Sequence, residues 1–500
     1  MSERVVVIGG GVGGLVSAAL LATRGCDVTV VEKEAGPGGK LRALEGVDAG
    51  PTVFTMRHLF DELFDACGAS LDSALTIQSC DTLARHAWGD TRLDLFADPA
   101  RSEAAIGDMA GAAEARGYRA FRAESRRIFE ALDAPFLQRS NTNPLALGWR
   151  MGLGGFADYC TLRPYTSLWS ALGGYFRDPR LQQLFGRYAT YCGSSPFRAP
   201  ATLMLIAHVE AMGVWTIEGG MHRLATALAD LGERNGVRFR YGAAVGEIAV
   251  ENGRASGVTL TTGERIAADS VICNADPAAL GDGAFGATAS RAVRRTTPAR
   301  RSLSALVWTG HANTSGFPLE RHNVLFSDDY PAEFAALARG QLPASPSVYL
   351  CAQQSSGVQI IVNAPPEGAS ISRGEIERCQ AAMQARLEQA GLSLDWTGPP
   401  TLTTPAQFAA LCPSTGGALY GPASHGWAAS FRRQSARTRI PGLYCAGGST
   451  HPGAGVPMAA LSGRLAAMSL LADRVSTSGS RPAAMPGGMS TPSARIAASA

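Results

Sequence analysis

Residues 5–32, VVVIGGGVGGLVSAALLATRGCDVTVVE, decide the fold. Val5–Ile8 is a short apolar run of the kind that forms a buried strand, and small and apolar residues then fill a helical stretch from Val12 to Ala22. Gly25 ends that stretch and Val28–Val31 repeats the strand signal. The unit is βαβ, with Gly9-x-Gly11-x-x-Gly14 at its first turn. Two of these glycines permit the tight turn and the approach of a pyrophosphate, and the third lets helix pack on strand. A phosphate there meets the unpaired amides of the helix N-terminus. Glu32 ends the second strand, where a carboxylate accepts hydrogen bonds from ribose hydroxyls and repels a 2′-phosphate, which disfavours NADP. A chance glycine turn would bring neither the strands, the helix nor the acidic residue with it.

Working outward, Lys33 follows Glu32, and Gly38-Gly39-Lys40 forms a second glycine turn of the kind that lets a chain pass close to a flavin nucleotide. Asp48-Ala49-Gly50-Pro51-Thr52 supplies another small-residue corner, suited to backbone lying against a flat ring. At the far end, Gly447-Gly448-Ser449-Thr450-His451-Pro452-Gly453-Ala454-Gly455 joins a last strand to a helix beginning near Val456, Pro457 and Met458. Pro457 is favourable in a first helical turn. The amides at that N-terminus can stabilise negative charge on a reduced flavin. These features together predict FAD held between both ends of the chain. His451 reads either as a functional contact or as a loop residue bonded to backbone.

The chain has 500 residues, enough for more than one hydrophobic core, and 46% hydrophobic against 17% charged residues excludes a disordered or fibrous protein. A net charge of +3 provides no field for nucleic acid. The ten cysteines are scattered, with no CxxC pair and no metal-like Cys/His spacing, so they read as reduced thiols and no metal is expected. The first strand begins too early to leave room for a signal-peptide apolar region, and no run is long enough to span a bilayer. The expectation is a cytoplasmic protein, with any membrane contact peripheral. The doublets Arg126-Arg127, Arg294-Arg295, Arg300-Arg301 and Arg432-Arg433 can touch anionic headgroups, although solvated helix faces are the commoner explanation.

The pattern divides the chain into alternating segments. Residues 1–75 form a first part of the FAD-binding domain, 218–278 a second part containing a β-meander with turns at Asn252-Gly253 and Gly263, and 436–475 a third. Residues 76–217, mainly helical, and 279–435 form a substrate domain with a helical lid. Residues 476–500, rich in Ser, Pro, Gly and Ala, read as a disordered tail.

These motifs, in this order, resemble the bacterial-type carotenoid desaturase family, a branch of the FAD-dependent amine oxidoreductases, over nearly the whole chain. The most specific element is Gly442-Leu443-Tyr444-Cys445-Ala446-Gly447-Gly448-Ser449-Thr450-His451-Pro452-Gly453-Ala454-Gly455-Val456, which looks like the family's C-terminal signature; Cys445 departs from it where an aliphatic residue or Phe is usual. Val214-Trp215 through Gly219-Gly220-Met221 and Asn274-Ala275-Asp276-Pro277 are similar to further family segments. Val245 opens a strand resembling the one whose backbone contacts adenine. Asp48 to Phe64 and Arg85 to Pro99 look closest to the 1-hydroxycarotenoid 3,4-desaturase (hydroxyneurosporene desaturase) subgroup.

The resemblance implies an α/β fold, a Rossmann-like FAD-binding domain of the amine oxidase/phytoene desaturase type with a mixed α+β substrate domain. It implies removal of two hydrogens from an acyclic carotenoid, peripheral contact with the inner membrane, and an electron acceptor such as oxygen or a quinone. FAD's ring would be the oxidant and the protein would hold an apolar C–H in a dry tunnel. Asn143–Phe156 is the candidate for its entrance, or a plain lid. Asp158 and Arg163 weakly resemble an acid and an arginine proposed for catalysis in a related phytoene desaturase, at different spacing. Phytoene desaturation, carotenoid cis/trans isomerisation, a non-catalytic flavin-binding carotenoid carrier and an amine oxidase stay open at this point.

Overall fold

The computed structural model describes residues 2–140, 143–144, 146–147, 149–150, 165–367 and 371–479. Its organising element is a five-stranded parallel sheet in the order Leu443–Cys445, Ser270–Cys273, Arg4–Ile8, Asp27–Val31, Arg238–Arg240. The central strand, Arg4–Ile8, is apolar on both faces, as a strand covered on both sides must be. The sheet therefore draws strands from the beginning, middle and end of the chain. The helix Val12–Thr23 follows the first strand directly and packs against the last helix, Val456–Gly479. Their approach is close because both surfaces are glycine: a Cβ on Gly463 would lie 2.2 Å from the Gly13 carbonyl oxygen.

Beside this sheet lies the antiparallel meander Val245–Glu251, Arg254–Leu260, Arg265–Ala267. Asn252 and Gly253 both take positive φ in its first turn, the conformation a tight hairpin needs. A second, larger mixed sheet of eight strands joins Thr82–Trp88 and Thr91–Phe96 to strands between Ser304 and Thr403. Only the pairing of His322–Leu325 with Thr82–Trp88 is parallel in it. The helices Ala112–Leu132 and Leu205–Ala211 pack against each other.

The helix His58–Ala66 buries Leu59, Phe60, Leu63 and Phe64, the face its spacing predicts. Two expectations need correction. The last helix runs through residues 476–479, which the sequence assigns to the tail, because no proline or glycine occurs between Arg464 and Ser478 to stop it. Residues 480–500 lie outside the described residues, as do Asp158, Arg163 and most of Asn143–Phe156. The second correction concerns Arg433, which was grouped with solvated doublets. Arg432 is exposed, but Arg433 is buried and donates to the carbonyls of Tyr420 at 3.0 Å and Pro422 at 2.8 Å.

Candidate functional site

One cavity of about 790 Å³ runs between the two sheets. At one end its wall is mostly backbone. Gly9, Gly11, Glu32, Lys33, Gly39, Lys40, Thr52, Val245, Gly448, Val456 and Met458 all line it, so the structure brings these residues together from four separated segments. Gly14 lies just beneath: a Cβ there would sit 2.2 Å from the Gly9 carbonyl oxygen, which is why the helix can start so near the strand. His451 does not belong to the wall. Its Nε2–H donates to the Phe136 carbonyl at 3.0 Å, and burial lowers its pKa to about 4, so it is a neutral residue that fixes Phe136.

Several observations fit a dinucleotide at this end. The helix Val12–Thr23 begins at Gly11 with no side-chain cap and no acidic residue in its first turn, leaving amides for a pyrophosphate. Glu32 is fixed at the end of its strand by the Gly10 amide at 2.6 Å and the Glu34 amide at 2.8 Å. Gly38 bonds back to Gly10 at 2.8 Å, joining the two glycine turns. Lys33 and Lys40 reach across to the carbonyls of Leu411, at 2.9 Å, and Leu419, at 2.5 Å.

Asn274 is a site residue that the sequence does not announce, although its segment Asn274-Ala275-Asp276-Pro277 carries part of the family resemblance. Asn274 donates to the Gly9 carbonyl at 3.2 Å and is the neighbour that an added Cβ on Gly11, Gly13 or Gly447 would strike, and it stands 3.1 Å from one on Gly14. Asp48 is a second such residue. Its buried carboxylate accepts from the amides of Met221, at 2.7 Å, and His222, at 3.2 Å, so the Asp48–Thr52 corner is tied to the Gly219-Gly220-Met221 turn. A carboxylate at that helix start is favoured electrostatically.

The other end of the cavity is walled by side chains. Leu132, Phe136, Leu203, Ile206 and Val209 make it apolar. Within it stands a polar group that no local motif announces. Arg187 Nη1 donates to the Tyr191 hydroxyl at 3.0 Å, and Tyr191 donates to Glu210 at 3.2 Å; Tyr188 donates to the other carboxylate oxygen. Burial raises the Glu210 pKa, against the opposing pull of the Tyr188 bond and the Arg187 charge. Tyr349 connects this group to the nucleotide end, since its hydroxyl bonds Thr52 at 2.7 Å and His322 at 2.7 Å while the Arg187 guanidinium lies 5.3 Å from its ring centroid.

A glycine-walled dinucleotide end continuous with a mostly apolar, side-chain-walled end defines a flavin-dependent oxidoreductase. The flavin containing amine oxidoreductase profile matches residues 12–471, and the chain belongs to that family. It is 50% identical to the hydroxyneurosporene desaturase of Rubrivivax gelatinosus, over 99% of this chain and 98% of that one. The hydroxyneurosporene desaturase of Cereibacter sphaeroides is 46% identical, over 95% and 99% of the two chains. Among solved structures, wild-type putrescine oxidase bound to putrescine superposes with a TM-score of 0.57 at 15% identity, covering 94% of this chain and 99% of that one, a likeness of fold. The cofactor is FAD.

Proposed function

We propose that this protein is an FAD-dependent desaturase of carotenoid biosynthesis that introduces the 3,4 double bond into an acyclic 1-hydroxycarotenoid such as 1-hydroxyneurosporene. The observation that carries the reading is the continuity of one cavity from the glycine turns to the apolar wall. The names of the 50% and 46% identical relatives supply the substrate class.

In this reading Gly9, Gly11, Glu32, Lys33, Gly39, Lys40, Thr52, Val245, Gly448, Val456 and Met458 hold the cofactor, with Asn274 setting the spacing of the glycines. When bound, FAD supplies the two-electron oxidation of the C–H bond. The chain's own work is to exclude water and orient the polyene, through Leu132, Phe136, Leu203, Ile206 and Val209. Loss of a hydride equivalent from one carbon requires a proton to leave its neighbour. Glu210 is the carboxylate at the apolar end among the described residues lining the cavity, and its raised pKa suits it to receive that proton.

Among the described residues no helix is long and apolar enough to cross a membrane. A water-insoluble substrate nevertheless calls for peripheral membrane association, and exposed Trp149, Tyr165 and Trp427 are aromatic residues suited to an interface. The electron acceptor that reoxidises the cofactor is oxygen or a quinone.

Purified FAD-loaded protein given 1-hydroxyneurosporene in liposomes should yield a product lighter by two hydrogens with a red-shifted spectrum. A product of unchanged mass would replace the reading with isomerisation, and conversion of phytoene alone would move the substrate to an earlier polyene.

A further inference from the structure

Arg187 is out of place for a wall residue of an apolar cavity. A guanidinium has five N–H donors, and among the described residues only the Tyr191 hydroxyl, 3.0 Å from Nη1, accepts from it. It forms no ion pair with a described carboxylate, because Tyr191 stands between it and Glu210. Burial alone would lower its pKa, but the phenols of Tyr191, Tyr349 and Tyr330 outweigh that effect and keep it charged. Its remaining attractions are to the faces of Tyr191, at 5.1 Å, and Tyr349, at 5.3 Å. A guanidinium in a largely apolar cavity with most of its donors unused by protein groups is poised to receive an acceptor.

A second polar group in the same wall also lacks a partner. The Tyr330 hydroxyl is buried, lines the cavity and forms no hydrogen bond. It lies near enough to Arg187 for the guanidinium to oppose the rise that burial gives its phenol pKa. Donors without acceptors are thus gathered beside Tyr349, whose hydroxyl holds Thr52 at the corner expected to lie against the flavin ring.

Resting on the desaturase reading above, we propose that Arg187 is a specificity-determining residue whose guanidinium donates a hydrogen bond to the tertiary hydroxyl of the carotenoid end group, with Tyr330 as its companion. The chemistry of the substrate requires such a contact near the cofactor rather than at a distant end of the tunnel. C1, which bears the hydroxyl, is only two bonds from C3, where the new double bond begins. A cation placed there anchors the oxygen and thereby selects which C–C bond is presented. A polyene without the hydroxyl leaves Arg187 and Tyr330 unmatched in a largely apolar site, which costs more than an apolar contact returns.

The test compares the FAD-loaded protein on 1-hydroxyneurosporene and on 1,2-dihydroneurosporene, the same carbon skeleton with hydrogen in place of the C1 hydroxyl, in liposomes. The wild type should favour the hydroxylated substrate by about 10- to 100-fold in kcat/KM, the range of one hydrogen bond to a charged group. Arg187→Met should collapse that ratio toward one, whatever its absolute rates, and Arg187→Lys should restore part of it. A wild type that shows no preference overturns the inference without any variant. An Arg187→Met enzyme that slows on both polyenes equally, with the ratio intact, overturns it too and makes the residue merely structural. Should Arg187→Met lose its flavin absorbance, the wild-type ratio and Arg187→Lys still decide. A wild type that converts neither polyene defeats the desaturase reading itself, and that result is visible before any variant is compared.

Discussion

The two ends of the cavity are built on opposite principles. At the nucleotide end the wall is backbone, and what matters is the absence of side chains: Gly11, Gly13, Gly14 and Gly447 all pack around one asparagine, Asn274. At the substrate end the wall is side chains from distant segments, and what matters is their chemistry. Around Asn274 the backbone wall tolerates almost no substitution, because a Cβ on any of these four glycines would lie within 3.0 Å of another atom. A side-chain wall accepts changes of size and punishes changes of polarity.

The largest test of this contrast is Gly11→Val, whose Cβ would lie 2.9 Å from Asn274 Nδ2 before its two methyls are counted. The purified variant should carry no flavin absorbance, and stoichiometric flavin would break the account of the backbone wall. Next, Val209→Asp places a carboxylate in the apolar wall. It should keep its flavin yet lose on the order of 100-fold in desaturation, read by product mass; loss of flavin instead would erase the distinction between the two ends.

Glu333 sharpens the substrate side through pH. Its carboxyl accepts from the Ser347 amide at 3.0 Å, the Ser347 hydroxyl at 2.7 Å and Asn363 at 3.2 Å, and burial pushes its pKa from 4.5 up to about 7. The folded state keeps this proton to higher pH than the unfolded chain does. Its contribution is therefore full below the ordinary carboxyl value and is lost as pH rises through 7. Glu333→Gln should flatten the fall in stability over that window, a change on the order of 3 kcal/mol, in urea unfolding at a series of pH values. A variant profile parallel to the wild type would assign the fall to other groups. The smallest effect is expected of Tyr349→Phe, which removes the bonds to Thr52 and His322 that link the two ends. Its stability should drop by about 1–2 kcal/mol, and an unchanged unfolding midpoint would show the link to be dispensable.

The same contrast explains what could be read from the chain. Gly9, Gly11, Gly14, Glu32 and the Gly447–Gly455 turn were legible because each position admits essentially one residue type and the turns are contiguous in sequence. Three strands of the parallel sheet followed from apolar runs beside these turns, whereas Arg238–Arg240 and Ser270–Cys273 read as ends of the meander and join the parallel sheet instead. Arg187, Glu210 and Tyr349 were not legible. A lone arginine in a helical stretch, a glutamate in an apolar run and a tyrosine in a strand each have ordinary explanations, and only the fold brings them within bonding distance. Asn274 falls between these cases, since its segment was noticed for resemblance while its contact with the glycines became visible only in three dimensions. Arg433 was misread because a basic doublet on a short helix does not reveal which member turns inward.

The Gly13–Gly463 contact also has a consequence for how the protein is made. On the ribosome the glycine turn at Gly11 emerges more than 400 residues before the Leu443–Cys445 strand and Gly463. Until they arrive, the Ser270–Cys273 strand presents an unpaired edge and one wall of the flavin site is missing, a combination that favours misassembly. Cofactor loading therefore waits for the Leu443–Gly463 segment.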